Sequence, residues 1–319
     1  VFDRRGKTLA LGKALPDTSP HDAWKEQPSM SQRRWLGFQP SRLILATVAA
    51  VATATGGDRA TAAELASAWD GAKPESRSRL IAGEVGGKTV AGVQVELAPG
   101  WKTYWRFPGD AGGIPPTFDW SASINVAAAT VLYPAPVRMS DRVGDTIGYT
   151  GTVTFPVRIE PIDASKPVTL ALKFALGVCK DICIPVETEL SLVVPATGRP
   201  PLPGAIAGAL EKVPRRASDA RASDPKLISA TTATGDRPTL TIEVEFPGGA
   251  SRPAVIVESA AGDYIPLPPG DGGQPSAENR RRFVIDLTGA ADVNDIRGKP
   301  VVVTMISERS HAEATITVE

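Results

Sequence analysis

The chain has 319 residues, 42% of them hydrophobic and 22% charged, and its 35 Lys and Arg balance 35 Asp and Glu. That length is enough to build two compact domains, and the composition carries none of the bias of a disordered chain. With zero formal charge and scattered basic residues there is no field to gather phosphates, which excludes nucleic acid as an expected partner.

Residues 1–29 are polar and rich in Pro and charge, and they read as an over-extended start. From Met30, Arg33 and Arg34 precede the apolar run Leu43 to Thr55, followed by Ala60-Thr61-Ala62. This is the pattern of a secretory signal peptide over 30–62, with cleavage before Ala63. The run of about 13 apolar residues falls short of the roughly 20 that a spanning helix needs, which weighs against the alternative of a retained membrane anchor. The expected product is exported and periplasmic. No later segment is apolar over the roughly 18 residues of a span, so any membrane contact is expected through a partner.

From Ser78 onward, short alternating runs punctuated by Gly and Pro predict an all-β chain. The clearest strand is Val168 to Val178. Val168, Leu170, Leu172, Phe174, Leu176 and Val178 share one face, and Thr169, Ala171, Lys173 and Ala175 the other. Gly86-Gly87 fits a turn between two strands. The 29 prolines and 30 glycines end strands and shape loops elsewhere. Residues 196–225 change character, with clustered Pro, a helix candidate at Gly204 to Lys212 and an Arg- and Ser-rich tail, and they read as a linker. Beyond it, strands are expected at Lys226 to Thr234, Thr239 to Phe246, Ala254 to Glu258, Arg282 to Leu287, Val301 to Ile306 and Ala314 to Val318. The loop around Pro266 to Pro275 is expected to be exposed. The organisation is two tandem β-sandwich domains, over 63–195 and 226–319.

The only two cysteines lie in Gly177-Val178-Cys179-Lys180-Asp181-Ile182-Cys183-Ile184-Pro185, directly after the strongest strand. Three intervening residues let them face each other at a hairpin tip, where opposed α-carbons about 4.5 to 5.5 Å apart suit a disulfide. A structural disulfide is the default in an exported protein. Against it, closing so short a ring removes only about 2 kcal/mol of unfolded-state entropy, compared with nearly 5 for a hundred-residue loop. A bond at a tip is open to an attacking thiolate. Lys180 favours a thiolate and Asp181 opposes it, so the sequence permits reactivity without assigning it.

The same spacing followed by proline resembles the copper site of Sco-type chaperones, which also uses a histidine. His311 stands near the C-terminus in a strand-like setting, read as a surface residue, and nothing brings it to Cys179. Two thiolates alone remain able to hold Cu(I). Zinc sites, phosphate loops and Ser-His-Asp catalysis lack the residues they need, and no cofactor or metal is expected.

Leu97-Ala98-Pro99-Gly100-Trp101-Lys102-Thr103-Tyr104-Trp105-Arg106, Pro108-Gly109-Asp110-Ala111-Gly112, Pro115-Pro116-Thr117-Phe118-Asp119-Trp120 and the hairpin from Val178-Cys179 to Pro185-Val186-Glu187 together resemble the N-terminal periplasmic domain of DsbD/ScsB-type thiol:disulfide interchange proteins. The resemblance runs roughly from Ser78 to Pro195. It implies an immunoglobulin-like sandwich whose cysteines take electrons from a membrane-embedded donor. They pass these to periplasmic thioredoxin-like or other disulfide-bearing proteins, including those of cytochrome c maturation. Cys179 and Cys183 are then the redox pair of a protein-disulfide reductase relay, with the attacker unassigned. The family's cap loop corresponds to about Met139 to Tyr149, including Asp141, Arg142 and Val143, without the aromatic tip of the best-known members. Tyr104 and Trp105 are alternative walls of the site, or else core aromatics. The chain resembles a stand-alone form, without the family's transmembrane and thioredoxin-like parts. A noncatalytic binding module with a structural disulfide, or a Cu(I)-handling accessory, remains the alternative.

Overall fold

The computed structural model describes residues 64–70, 73–142, 144–260, 262–288, 290 and 296–318. The start extension and signal peptide expected over 1–62 lie outside the described residues. Among the described residues, no helix is long and apolar enough to cross a membrane.

A short strand β1 (Leu65–Ala66) leads to the hairpin of β2 (Ser76–Val85) and β3 (Lys88–Leu97). It turns at Gly86 and Gly87, with φ of 57° and 76°. Two successive positive φ values make the turn whose twist matches the flanking strands, and glycine adopts them without steric cost. Then follow β4 (Lys102–Tyr104), β5 (Thr117–Asp119), β6 (Val126–Val131), β7 (Val137–Ser140) and β8 (Asp145–Thr150). The long strands β9 (Thr152–Pro161), β10 (Val168–Cys179) and β11 (Cys183–Val194) complete the first sandwich. One sheet runs β1-β2-β3-β9-β6 and the other β11-β10-β4-β8-β7, with β5 also paired to β10. Val168, Leu170, Leu172, Phe174, Leu176 and Val178 point between the sheets, each at most 4% exposed, against Leu80, Val93, Phe155 and Val157. Each such burial contributes roughly 1.5 to 3 kcal/mol, so the period-2 pattern fixes the register of β10 strongly.

The segment after β11 is docked to the sandwich. Helix α1 (Gly204–Lys212) inserts Ile206, fully buried, against Ile81 and Val90 on the outer face of the first sheet. A Cβ at Gly92 would lie 2.9 Å from the Ile206 side chain, so the glycine admits the helix. Strand β12 (Arg215–Arg216) follows, and Arg215 closes on Asp224 with a two-pronged ion pair of 2.6 and 2.8 Å.

The second sandwich comprises β13 (Lys226–Ala233), β14 (Thr239–Glu245), β15 (Ala254–Ser259), β16 (Gln274–Ala277), β17 (Arg280–Asp286), β18 (Pro300–Ile306) and β19 (His311–Thr317). Its sheets are β12-β19-β18-β15 and β13-β14-β17-β16, closed over Leu240, Ile242, Val255, Val257, Phe283 and Val303. The fold class is all-β, with two immunoglobulin-like sandwiches in tandem.

Two sequence expectations need correction. The loop around Pro266 to Pro275 is not exposed throughout: Leu267 is 8% exposed and packs with Ile256 into the core cluster of the first sandwich. Apolar side chains in a Pro- and Gly-rich loop are buried when that loop is an interface. His311 is half-buried on β19 rather than a surface residue, and its Nδ1 has no hydrogen-bond partner.

Candidate functional site

Strands β10 and β11 pair without a register shift from Val168↔Val194 to Cys179↔Cys183. The cysteines are therefore the last opposed pair of the hairpin, disulfide-bonded, with α-carbons 4.1 Å apart. Lys180, Asp181 and Ile182 form the exposed tip, Ile182 being 67% exposed.

Since the even-numbered residues of β10 face the core, Cys179 lies on the outer face together with Ala175 and Gly177. It is nevertheless only 1% exposed, whereas Cys183 is exposed. The cover over Cys179 comes from β4, which pairs with it through Val178↔Thr103 and Cys179↔Lys102. Lys102 and Tyr104 share the outer face of β4. The Tyr104 hydroxyl lies 2.8 Å from Cys179 Sγ and 3.3 Å from Cys183 Sγ. In the disulfide neither sulfur carries a proton, so the hydroxyl donates, mainly to Cys179. The ring sits in a slot made by missing side chains: a Cβ on Gly113 would overlap it, and one on Gly177 would come within 3.2 Å of it and 2.8 Å of Ile114.

Burial first, and the Asp141 carboxylate second, push the Tyr104 phenol above its ordinary value, keeping it a protonated donor. Asp141 stands at the β7–β8 hairpin tip and accepts a 3.0 Å hydrogen bond from Lys102 Nζ. The same ammonium donates to Thr146 Oγ1 at 2.9 Å. Cys179, Cys183, Tyr104 and Asp141 are thus brought together. Arg142 is exposed at the hairpin tip, and Val143 lies outside the described residues.

Trp105 is not a wall of the site. The alternation of β4 turns it inward, and it is fully buried in the sandwich core with the Arg106 guanidinium 4.3 Å from its ring centroid. Sequence reasoning missed Lys102, Gly113 and Gly177 as parts of the site. Lys102 stands two residues before Tyr104, a spacing that places both on one face of any strand.

Among the described residues, no three His, Cys, Asp or Glu side chains cluster in a way that would hold a metal. His311 is on β19 of the second sandwich. Chemically, the arrangement offers one accessible sulfur, one covered sulfur and a hydrogen-bond donor that steadies charge on the covered one.

Residues 72–195 match the family model described as Thiol:disulfide interchange protein DsbD, N-terminal. Among solved structures, the chain is similar to the crystal structure of the N-terminal periplasmic domain of ScsB from Proteus mirabilis. The TM-score is 0.59 at 22% sequence identity, covering 80% of this chain and 99% of that one. At that identity the likeness speaks for the fold, and it extends across both sandwiches. No curated protein matches the chain. The stretch similar to the DsbD N-terminal family, residues 72–195, thus ends in the disulfide hairpin.

Proposed function

We propose that the Cys179–Cys183 pair is a periplasmic thiol-disulfide exchange site that passes reducing equivalents from a membrane-embedded donor to oxidised periplasmic proteins. The clients are thioredoxin-like or other disulfide-bearing proteins, including those of cytochrome c maturation. The observation that carries this reading is the unequal setting of the two sulfurs, with Cys183 exposed and Cys179 1% exposed beneath the Tyr104 hydroxyl.

The steps follow from that asymmetry. A donor thiolate attacks Cys183 Sγ in line with the disulfide, the Cys179–Cys183 bond breaks, and Cys179 leaves as a thiolate that accepts the Tyr104 hydrogen bond. A charge-assisted hydrogen bond is roughly twice as strong as a neutral one, so Tyr104 stabilises the leaving group more than the disulfide. The donor's second thiolate then attacks the mixed disulfide and frees Cys183 as a thiolate. Two electrons have entered, and the donor is left oxidised. In the forward half, the Cys183 thiolate attacks a client disulfide, and Cys179 resolves the mixed disulfide, which reduces the client and restores the starting bond. The bond itself adds little stability, since its short ring is worth only about 2 kcal/mol.

The test is capture. Cys179→Ala, which leaves Cys183 free, is expected to accumulate mixed disulfides with periplasmic proteins that dithiothreitol releases. Cys183→Ala is expected to capture at least about tenfold less, because its remaining thiol is covered. No capture by either variant, together with a wild-type bond that resists reduction down to about −300 mV, refutes the relay and leaves a binding module with a structural disulfide.

A further inference from the structure

The segment that leaves β4 departs from Tyr104, crosses to the second sandwich and returns to Tyr104. At its start, the Arg106 guanidinium makes hydrogen bonds of 2.7 to 3.1 Å to both oxygens of Glu258 and one of 2.5 Å to Glu313, and it reaches Thr304 Oγ1 at 3.3 Å. Those partners stand on β15, β19 and β18, three adjacent strands of one sheet. Farther along, Asp110 accepts from the Tyr264 hydroxyl at 2.8 Å and from the Leu267 amide at 3.1 Å. The segment then returns to form the Gly113 and Ile114 slot around the Tyr104 ring.

Arg106 is partly enclosed, with 29% side-chain exposure, and Glu258 and Glu313 are at 21% and 15%. Burial pushes the guanidinium pKa down, but Glu258 and then Glu313 outweigh that and raise it, so Arg106 stays a cation throughout. A planar fork shared between two carboxylates fixes direction as well as distance. No requirement of the first sandwich's own core explains a charged residue at that point, since the adjacent Trp105 already fills the interior.

We infer that the second sandwich acts as a brace on the disulfide site, and that Arg106 is the positioning residue through which it holds the Tyr104 hydroxyl against the sulfurs. This rests on the exchange reading for its purpose, though not for its geometry. The brace gives a role to a domain that contains no cysteine.

The test compares the full chain with its Arg106→Met, Tyr104→Phe and doubly substituted forms by equilibrating the disulfide with dithiothreitol. Loss of the hydroxyl removes a hydrogen bond that favours the reduced pair. Tyr104→Phe is therefore expected to shift the equilibrium constant about three- to tenfold toward the disulfide, tenfold corresponding to about 30 mV. Arg106→Met is expected to shift it severalfold in the same direction, and the double variant no further than Tyr104→Phe alone, as for two residues acting through one contact. A second readout needs no reduction: the ring signal of isotopically labelled Tyr104 in the oxidised protein is expected to move in Arg106→Met. Glu258→Gln/Glu313→Gln, which keeps the volume but removes both charges and turns one acceptor oxygen of each carboxylate into a donor, is the companion if Arg106→Met does not fold. An equilibrium constant within about twofold of wild type, with an unmoved Tyr104 signal, overturns the brace. No capture by Cys179→Ala or Cys183→Ala, together with a wild-type bond that resists reduction down to about −300 mV, refutes the exchange reading instead and leaves the ring signal to decide the brace.

Discussion

Cys179 owes its burial to a tyrosine that lies over it, and the tyrosine owes its place to the absence of side chains at Gly113 and Gly177. Gly177 does not have positive φ, so alanine is tolerated by its backbone and the whole effect of Gly177→Ala falls on packing. The added methyl meets Ile114 at 2.8 Å and the Tyr104 ring at 3.2 Å. We expect a loss of about 1 to 3 kcal/mol, as for other overpacked sites, with faster alkylation of the reduced Cys179 thiol as the ring is displaced. Urea unfolding and the rate of iodoacetamide labelling check the two effects, and an unchanged labelling rate refutes the slot as the cover. At this scale the cysteines are legible because they are the chain's only two and stand three residues apart. The difference between Tyr104 and Trp105 is not, because adjacent aromatics at the end of a three-residue strand exchange roles with a one-residue change of register. The pairing of Cys179 with Lys102 fixes that register, and it is a contact between segments far apart in sequence.

Among the elements, β10 is the most legible, because every second residue from Val168 to Val178 is apolar and each of them is buried. Strand β15 carries a subtler signal. Its run Val255-Ile256-Val257 is apolar on both faces: Val255 and Val257 enter the second core while Ile256 enters the first. Such a run reads as a strand covered on both sides, but the sequence does not say by what. Strand β19 offers a test in pH. Burial, then the charges of Arg215 and Lys212, pull the His311 pKa below its ordinary value, with Asp224 opposing. A histidine whose folded pKa is depressed favours the neutral form. Its stabilising contribution is therefore complete above the unfolded pKa of about 6.5 and is lost as pH falls from that value through the lower folded pKa. Thermal unfolding is expected to show a falling Tm between pH 7.5 and 5.5, with His311→Gln reducing the slope. A slope unchanged by the substitution refutes the assignment.

For the molecule as a whole, the change in composition over 196–225 is visible in the sequence, whereas the docking of that segment through Ile206, and of the sandwiches on each other, is not. Both depend on which faces meet, and periodicity reports only that a face is apolar. Ile256 and Leu267 of the second sandwich join the core cluster of the first, and Arg106 ties β15, β18 and β19 to the strand end beside the disulfide. Shared core and shared ion pairs couple unfolding, so calorimetry of the protein beginning at Ala63 is expected to show one transition. Two transitions separated by more than about 10 °C refute that coupling.

The covered sulfur has a further consequence for traffic. If only Cys183 can be approached from outside, the donor and the client must use the same atom, and neither can arrive before the other has gone. Electron delivery and electron withdrawal are then separated in time by construction. Under the exchange proposed above, the protein is expected to work as a shuttle with a single berth, its turnover saturating in a ping-pong pattern and an excess of either partner blocking the other.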